Sequence, residues 1–440
     1  MNYMRYMEER KERTKWFMEA RFGMFIHWGL YAIPGRGEWV QSDEKITKKE
    51  YQKYFEEWNP TRYDPGKWAR IARQAGMKYA ILTTKHHEGF CLFDSAYTDY
   101  KSTNTACGRD LVKEFVDAFR AEGIRVGFYY SLLDWHHDDY PAYGDMYHPD
   151  RENEIFRGKE HHFERYLDYM HRQVRELMTN YGKVDILWLD FSYEGHFGED
   201  WRGKELVEMV RELQPGIIIN GRLEANGEHY GSVMTDKPDI YSGDFACPEM
   251  IIPPYGLKTP SGVDIPWEAC FTLNNNWGYT PNDRHYKTAS QIIRKLVECT
   301  SKNGNMLVNV SPTAIGEIPG WQKEILDEVG RWMHENAQSI YGCGASGLEK
   351  PEWGRYTRRG NKLYAHITEE GIGAIALPGI KGKLKKARRL ADGYEMQMFT
   401  PWVAREFPDY EFINYGTPEC FSFSVEEKTD TVIELTLKEE

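Results

Sequence analysis

Short apolar runs that stop at polar residues recur along the chain, separated by longer stretches with helical spacing. The runs predict strands at 23–27, 79–84, 125–131, 184–190 and 217–220. Weaker runs at 239–242, 269–273 and 306–310 would bring the number to eight. Between most of them, apolar residues three and four apart predict helices over 65–75, 111–122, 160–180, 204–213 and 290–301. Several strands are apolar on both faces, as in a parallel sheet covered by helices. The alternation predicts an α/β fold, a (β/α)8-like (TIM) barrel. A doubly wound open sheet fits less well, because it would carry a glycine-rich phosphate turn after its first strand, where this chain has His27-Trp28-Gly29.

A closing helix is predicted over 321–341, with Trp321, Ile325, Val329 and Trp332 on one face. Beyond a glycine-rich stretch the pattern changes, and 362–367, 372–377 and 431–437 read as short strands between turns. The expected division is a barrel domain at 1–344 and a small C-terminal antiparallel β domain at 345–440.

Composition narrows the function. A chain of 440 residues is long enough for such a barrel plus a small module. Its 14 Trp and 29 Tyr supply flat faces that suit sugars and other rings as well as cores. The net charge of −12 argues against nucleic-acid and membrane-surface partners, which select for basic patches. Seven cysteines without a Cys-x-x-Cys spacing disfavour both a zinc site and a disulfide framework. The charged first residues do not resemble a signal peptide, and no apolar run is long enough to cross a membrane, so a cytoplasmic location is expected.

In such a barrel the reaction site lies at the C-terminal strand ends, which makes the polar residues there the candidates. They are His27, Trp28, Glu38 and Trp39; Lys85, His86, His87 and Glu88; then Tyr129, Tyr130, Ser131, Asp134, Trp135, His136 and His137. Trp188 and Asp190, Asn220 and Arg222, and later Asp244, Glu249, Glu268 and Trp277 complete the set. Asp190 stands out, because it ends the apolar run Val184-Asp185-Ile186-Leu187-Trp188-Leu189-Asp190 and needs a partner or a use there. His86 and His87 can both face the site if the chain turns after Lys85. Histidine pairs also bind zinc, yet metal-dependent hydrolase barrels typically carry His-x-His on strand one, which this chain lacks; no metal is expected. Either Glu249 or Glu268 could oppose Asp190 as a second carboxylate.

In order along 15–341, these motifs resemble the α-L-fucosidases of glycoside hydrolase family 29. The matching stretches include Phe22-Gly23-Met24-Phe25-Ile26-His27-Trp28-Gly29, Glu38-Trp39, Lys85-His86-His87-Glu88-Gly89-Phe90 and Trp188-Leu189-Asp190. Asn220-Gly221-Arg222, Pro248-Glu249, Pro266-Trp267-Glu268, Trp277-Gly278-Tyr279 and the run from Gly304 to Pro312 continue the match. The resemblance implies a (β/α)8-like domain followed by a β-sandwich. It further implies retaining hydrolysis of terminal α-L-fucose from fucosylated oligosaccharides, without metal or organic cofactor. Asp190 would be the nucleophile and Glu249 the acid/base, with Glu268 as second choice for the latter. His27, Glu38, Trp39, His86, His87, Tyr130, Trp188, Arg222 and Trp277 would bind the sugar. The acid/base must be protonated to work, so its pKa is expected to be raised. Glu88 departs from the family's usual aspartate at that position, and the C-terminal region matches only as an architecture. Two other readings stand beside this one: a fucose-binding, catalytically weak lectin-like barrel, and a metal-dependent hydrolase using His86, His87 and His136. Linkage preference and oligomeric state, a homo-oligomer included, stay open.

Overall fold

The computed structural model describes residues 3–193, 195–369, 373–414 and 429–438. Parallel strands form its centre: β1 (Phe22–Ile26), β2 (Tyr79–Lys85), β3 (Arg125–Ser131), β4 (Ile186–Asp190), β5 (Ile218–Ile219), β6 (Glu268–Phe271) and β7 (Asn305–Val310). They lie side by side in the order β5-β4-β3-β2-β1-β7-β6. Residues 244–249 fill the gap between β5 and β6, pairing in parallel through Asn220 with Phe245, Ala246 with Trp267, and Glu249 with Cys270. The ring is therefore a (β/α)8-like barrel whose eighth member is reduced to isolated bridges.

This member corrects the strand expected at 239–242. Ile240–Ser242 is a 3-10 turn, and the chain enters the barrel only after Gly243, whose φ is 77°. A Cβ on Gly243 would sit 2.3 Å from the backbone oxygen of Asn220, so that corner requires glycine. The helix expected over 160–180 begins at Phe163, and the closing helix runs Gly320–Asn336 before a short 3-10 turn. The charged N-terminal stretch, which gave no helical signal, forms the helix Tyr3–Ala20. It sets Phe17 against Tyr79 and Phe245, with ring centroids 5.4 Å and 4.7 Å away, and so plugs the barrel floor.

Alternation decides which strand residues face the interior. Phe25, Ile81, Tyr129, Ile186, Trp188, Cys270 and Leu307 pack together inside. Their neighbours Met24, Leu82, Phe128, Tyr130, Leu187 and Leu189 join the layer between strands and helices. Burying each large side chain contributes about 1.5–3 kcal/mol, so both layers hold the ring rigid and keep the strand ends fixed.

After the barrel, eight strands from Gly344–Ala345 to Thr431–Leu437 form an antiparallel sheet. Leu377 near one end of the sheet and Leu363 near the other share a single core, so the sheet folds over on itself as a sandwich. The strands Gly354–Arg359, Leu384–Arg389, Glu395–Met398 and Tyr410–Asn414 gave no sequence signal. The strand expected at 372–377 is Ile375–Pro378; its first expected residue lies outside the described residues. The sandwich packs on the outside of the barrel, where Arg294 donates to the carbonyls of Thr368 and Thr429 and Arg355 pairs with Glu298.

Candidate active site

The C-terminal strand ends converge on a cavity of about 370 Å³ lined by Phe25, His27, Trp39, His86, His87, Tyr129, Trp188, Asp190, Phe191, Arg222, Glu249, Cys270 and Trp277. Strand register explains the grouping. On β3 and β4, Tyr129 pairs with Trp188 and Ser131 with Asp190, which sets these four side by side on the inner face. A register shift between Thr83 and Lys85 turns the chain at the end of β2, and both His86 and His87 face the cavity, their rings 3.9 Å apart. Glu249 arrives because residues 244–249 act as a strand: Cys270 N–H donates to the Pro248 carbonyl at 3.1 Å, and Met250 N–H to the Cys270 carbonyl at 3.0 Å.

One guanidinium joins the two carboxylates. Arg222 donates from one terminal nitrogen to Asp190 Oδ1 at 2.8 Å and from the other to Glu249 Oε2 at 2.5 Å. Tyr129 donates its hydroxyl to Asp190 Oδ2 at 2.8 Å, so each oxygen of Asp190 has a partner. The guanidinium lies over the Trp188 ring, 4.7 Å from its centroid, which fixes its plane. Burial disfavours ionised Glu249, but the charge and hydrogen bond of Arg222 outweigh it, aided by His27 and Trp277. Its carboxyl is held below the usual range, opposite to the raised value expected of an acid/base. The physical reason is the shared arginine, which sequence order alone could not place between the two acids.

The histidines present acceptors. Burial, reinforced by His86, lowers His27 to about 3, so its ring is neutral. Asn309 donates its amide to the Trp277 carbonyl at 2.7 Å, which leaves its oxygen to accept from His27 Nδ1 at 2.7 Å. Nε2 of His27 therefore carries the lone pair. Ser131 donates to the Leu133 carbonyl at 2.9 Å and accepts from His87 Nδ1 at 2.7 Å, giving His87 the same tautomer. Burial likewise keeps His86 neutral, at about 3. Neutral imidazoles beside aromatic faces suit a neutral, hydroxyl-bearing ring.

Some expected site residues lie elsewhere. Tyr130 points away from the cavity and donates to Gln173 Oε1 at 2.8 Å; strand alternation puts Tyr129 in the position expected of it. Glu268 begins β6, is fully buried, and accepts from Tyr79 in the barrel interior below the cavity. Glu38 does not line the cavity; it accepts from Gly278 N–H at 2.8 Å and ties the Trp39 loop to the Trp277 loop. Among the remaining strand-end candidates, Lys85 and Asp134 neutralise one another at 3.1 Å. Asp244 opens its strand instead of ending it and is clamped by Arg13 and Arg211 at 3.0 and 2.5 Å. His136 stacks flat on Tyr100 rather than joining His86 and His87.

Sequence reasoning named Tyr129 only as a strand end and passed over Phe25, Cys270 and Phe191. The first three gave no local signal, because strand register turns them inward. Phe191 gave none either: it adopts φ 81°, unusual for a bulky residue, and its ring packs edge-on against His87. A wider cleft of about 1210 Å³ adjoins the cavity and shares Asp190, Phe191, Arg222 and Glu249 with it. Tyr147, Tyr230 and Ile251 are among its walls.

A barrel with paired carboxylates and aromatic walls at its strand ends is the arrangement of a glycoside hydrolase. A family model described as Alpha-L-fucosidase matches residues 2–338, and the chain belongs to that family, glycoside hydrolase family 29. Human tissue alpha-L-fucosidase is 30% identical over 414 residues, covering 84% of this chain and 82% of the human one. The structure of alpha-L-fucosidase isoenzyme 1 from Paenibacillus thiaminolyticus is 58% identical, with a TM-score of 0.93 over 98% of this chain and 100% of that one. An alpha-L-fucosidase from Bacteroides thetaiotaomicron, solved as a trapped covalent intermediate with 2-fluoro-fucosyl fluoride, is 31% identical, with a TM-score of 0.80 over 97% of this chain and 96% of that one.

Proposed function

We propose that this chain is a retaining exo-α-L-fucosidase that releases terminal fucose from oligosaccharides, with Asp190 as nucleophile and Glu249 as acid/base. The observation that carries this reading is the single guanidinium shared by Asp190 and Glu249 at the edge of a small aromatic cavity. Adjacent nitrogens of one arginine favour the close spacing of a retaining pair, about 5–5.5 Å, over the wider gap of an inverting pair. The covalent intermediate trapped in the Bacteroides relative supports the same course. The small cavity would hold fucose and the adjoining cleft the leaving sugar.

In the first step Asp190 Oδ attacks the anomeric carbon while Glu249 gives its proton to the glycosidic oxygen. The C–O bond breaks and a fucosyl ester forms on Asp190. In the second step Glu249, now ionised, takes a proton from water as it attacks that carbon, and Asp190 leaves as carboxylate. Tyr129 and Arg222 hold Asp190 aligned, and the Nε2 atoms of His27 and His87 accept from sugar hydroxyls. Because Arg222 keeps most Glu249 ionised before substrate arrives, the alkaline limb of kcat/KM lies in the acid range.

The barrel, assigned here to 1–344, carries the chemistry, and 345–440 buttresses it. Six free cysteines among the described residues suit a reducing, cytoplasmic setting, and no described helix is long and apolar enough to cross a membrane.

Asp190→Gly should lower turnover of an aryl α-L-fucoside by about 10⁴-fold or more, with partial rescue by azide. Full activity in that variant would refute the nucleophile. Glu249→Ala should cost roughly 10²–10⁴-fold on an oligosaccharide and far less on an aryl fucoside with a good leaving group. Equal losses on both would remove Glu249 from the acid/base role.

A further inference from the structure

Given that fucosidase reading, we propose that Glu268 is a positioning residue that holds the Trp188 indole beneath the sugar. Glu268, Tyr79 and Asn305 stand at the starts of β6, β2 and β7, and Glu268 pairs in register with Asn305. All three are fully buried. Phe17, Phe245, Ile186 and Leu307 pack around them, and the buried Arg21 reaches Asn305 Oδ1 at 3.5 Å.

The polar contacts of this cluster are few and directional. Tyr79 donates its hydroxyl to Glu268 Oε2 and is met by the Asn305 amide at 3.4 Å. Asn305 is itself anchored on the Phe17 carbonyl at 2.7 Å, so the floor helix holds the whole group in place. The other carboxyl oxygen, Oε1, and the indole nitrogen of Trp188 are both buried without a hydrogen-bond partner, and Trp188 is near enough to favour the ionised form of Glu268. Among the described residues no lysine or arginine forms an ion pair with the carboxyl; burial raises it to about 8, against smaller opposing effects of Tyr79 and Trp188.

Trp188 passes this support upward. Its ring stacks on Tyr129 with centroids 5.8 Å apart, packs against Phe25 at 5.1 Å, and carries the Arg222 guanidinium. Tyr129 and Arg222 are the two groups that hold Asp190, and Arg222 also holds Glu249. A tilt of the indole would therefore misplace the cavity floor and both carboxylates together. Displacements on the order of 1 Å in such a setting cost roughly 10²-fold in rate.

The test compares Glu268→Gln, Glu268→Leu, Tyr79→Phe and Glu249→Gln on an aryl α-L-fucoside and on a fucosylated oligosaccharide. Activity of the unaltered chain on either substrate secures the fucosidase reading first, so its failure is seen separately. Glu268→Gln keeps the shape and the neutral state, and should stay within about tenfold of the parent on both substrates. Glu268→Leu should lose roughly 10–100-fold, by the same factor on both, with a higher KM and weaker inhibition by free fucose. Tyr79→Phe should show a smaller loss of the same kind, and adding it to Glu268→Leu should cost little more. Three results would overturn the proposal: a loss in Glu268→Gln confined to the oligosaccharide, as in Glu249→Gln; unchanged kinetics in Glu268→Leu; or full additivity with Tyr79→Phe. Should Glu268→Leu not fold, unchanged kinetics in Tyr79→Phe or an oligosaccharide-only loss in Glu268→Gln would overturn the proposal.

Discussion

At the mouth of the barrel, Asp190 and Glu249 share one arginine; on the inner wall below them, Glu268 has only a tyrosine and an indole. Asp190 and Glu268 are buried, and Glu249 is only partly screened from water, with 41% of its side chain exposed. Glu249 is held below the usual carboxylate range, whereas Glu268 is pushed up to about 8. The buried pair of Lys85 and Asp134 follows the mouth rather than the floor: burial opposes ionised Asp134, and the lysine lowers it regardless. Asp134 and Glu268 are both fully buried yet shifted in opposite directions, so depth does not set the charge state here. Whether a cation was brought within reach does, because a nearby opposite charge offsets a desolvation cost that hydrogen bonds from neutral groups only partly relieve.

Removing the cation at the mouth is the strongest way to break the contrast. Arg222→Gln should lower kcat/KM on an oligosaccharide by about 10²-fold, since it takes a charged donor from both carboxylates. Only His27 and Trp277 would then oppose the burial of Glu249 and its pKa would rise, so the alkaline limb of the remaining activity should move to higher pH. A limb that stays in place would show that Arg222 does not set the protonation of Glu249.

The pair at Lys85 sharpens the contrast through stability. Lys85→Met leaves Asp134 charged, buried and unpaired, and should destabilise the protein by about 3–5 kcal/mol in urea unfolding. Adding Asp134→Asn should return much of that loss, because the neutral amide no longer needs a cation. A double variant as weak as the single one would point to packing instead of charge.

A third test concerns the floor. Near pH 4.5, the ordinary glutamate value, folded Glu268 is protonated and about half of the unfolded population is. Between there and the folded value of about 8, the unfolded chain ionises this group while the folded chain keeps its proton. The contribution of Glu268 to stability should thus fall as pH rises across that window, then level off. Unfolding midpoints of the parent and Glu268→Gln, measured at pH 5 and pH 8, should converge or cross. A constant difference would mean that the group does not titrate within that window.

Much of the site could be read from the chain because strand ends carry it. His27, His86, His87, Trp188 and Asp190 stand where apolar runs stop, and all five line the cavity. The exchange of Tyr130 for Tyr129 shows where this method runs out. Both neighbours are buried tyrosines on a strand apolar on each face, so alternation says only that one points inward, not which. Register with Trp188 and Asp190 on the next strand settles it. Glu249 and Glu268 were equally placed by position for a similar reason. The segment bearing Glu249 is a strand only through bridges to its neighbours, with too little local apolar pattern to announce itself.

The sequence by itself determined the alternating architecture, the strand ends that meet, and the residue types available there, because burial on two faces and helical spacing are local properties of the chain. Tertiary structure alone decided which tyrosine faces inward and which glutamate reaches the mouth. It also decided that one arginine stands between two acids while a third acid stands without a cation. Those choices depend on register and on charges from distant segments, and such distances do not exist until the barrel closes.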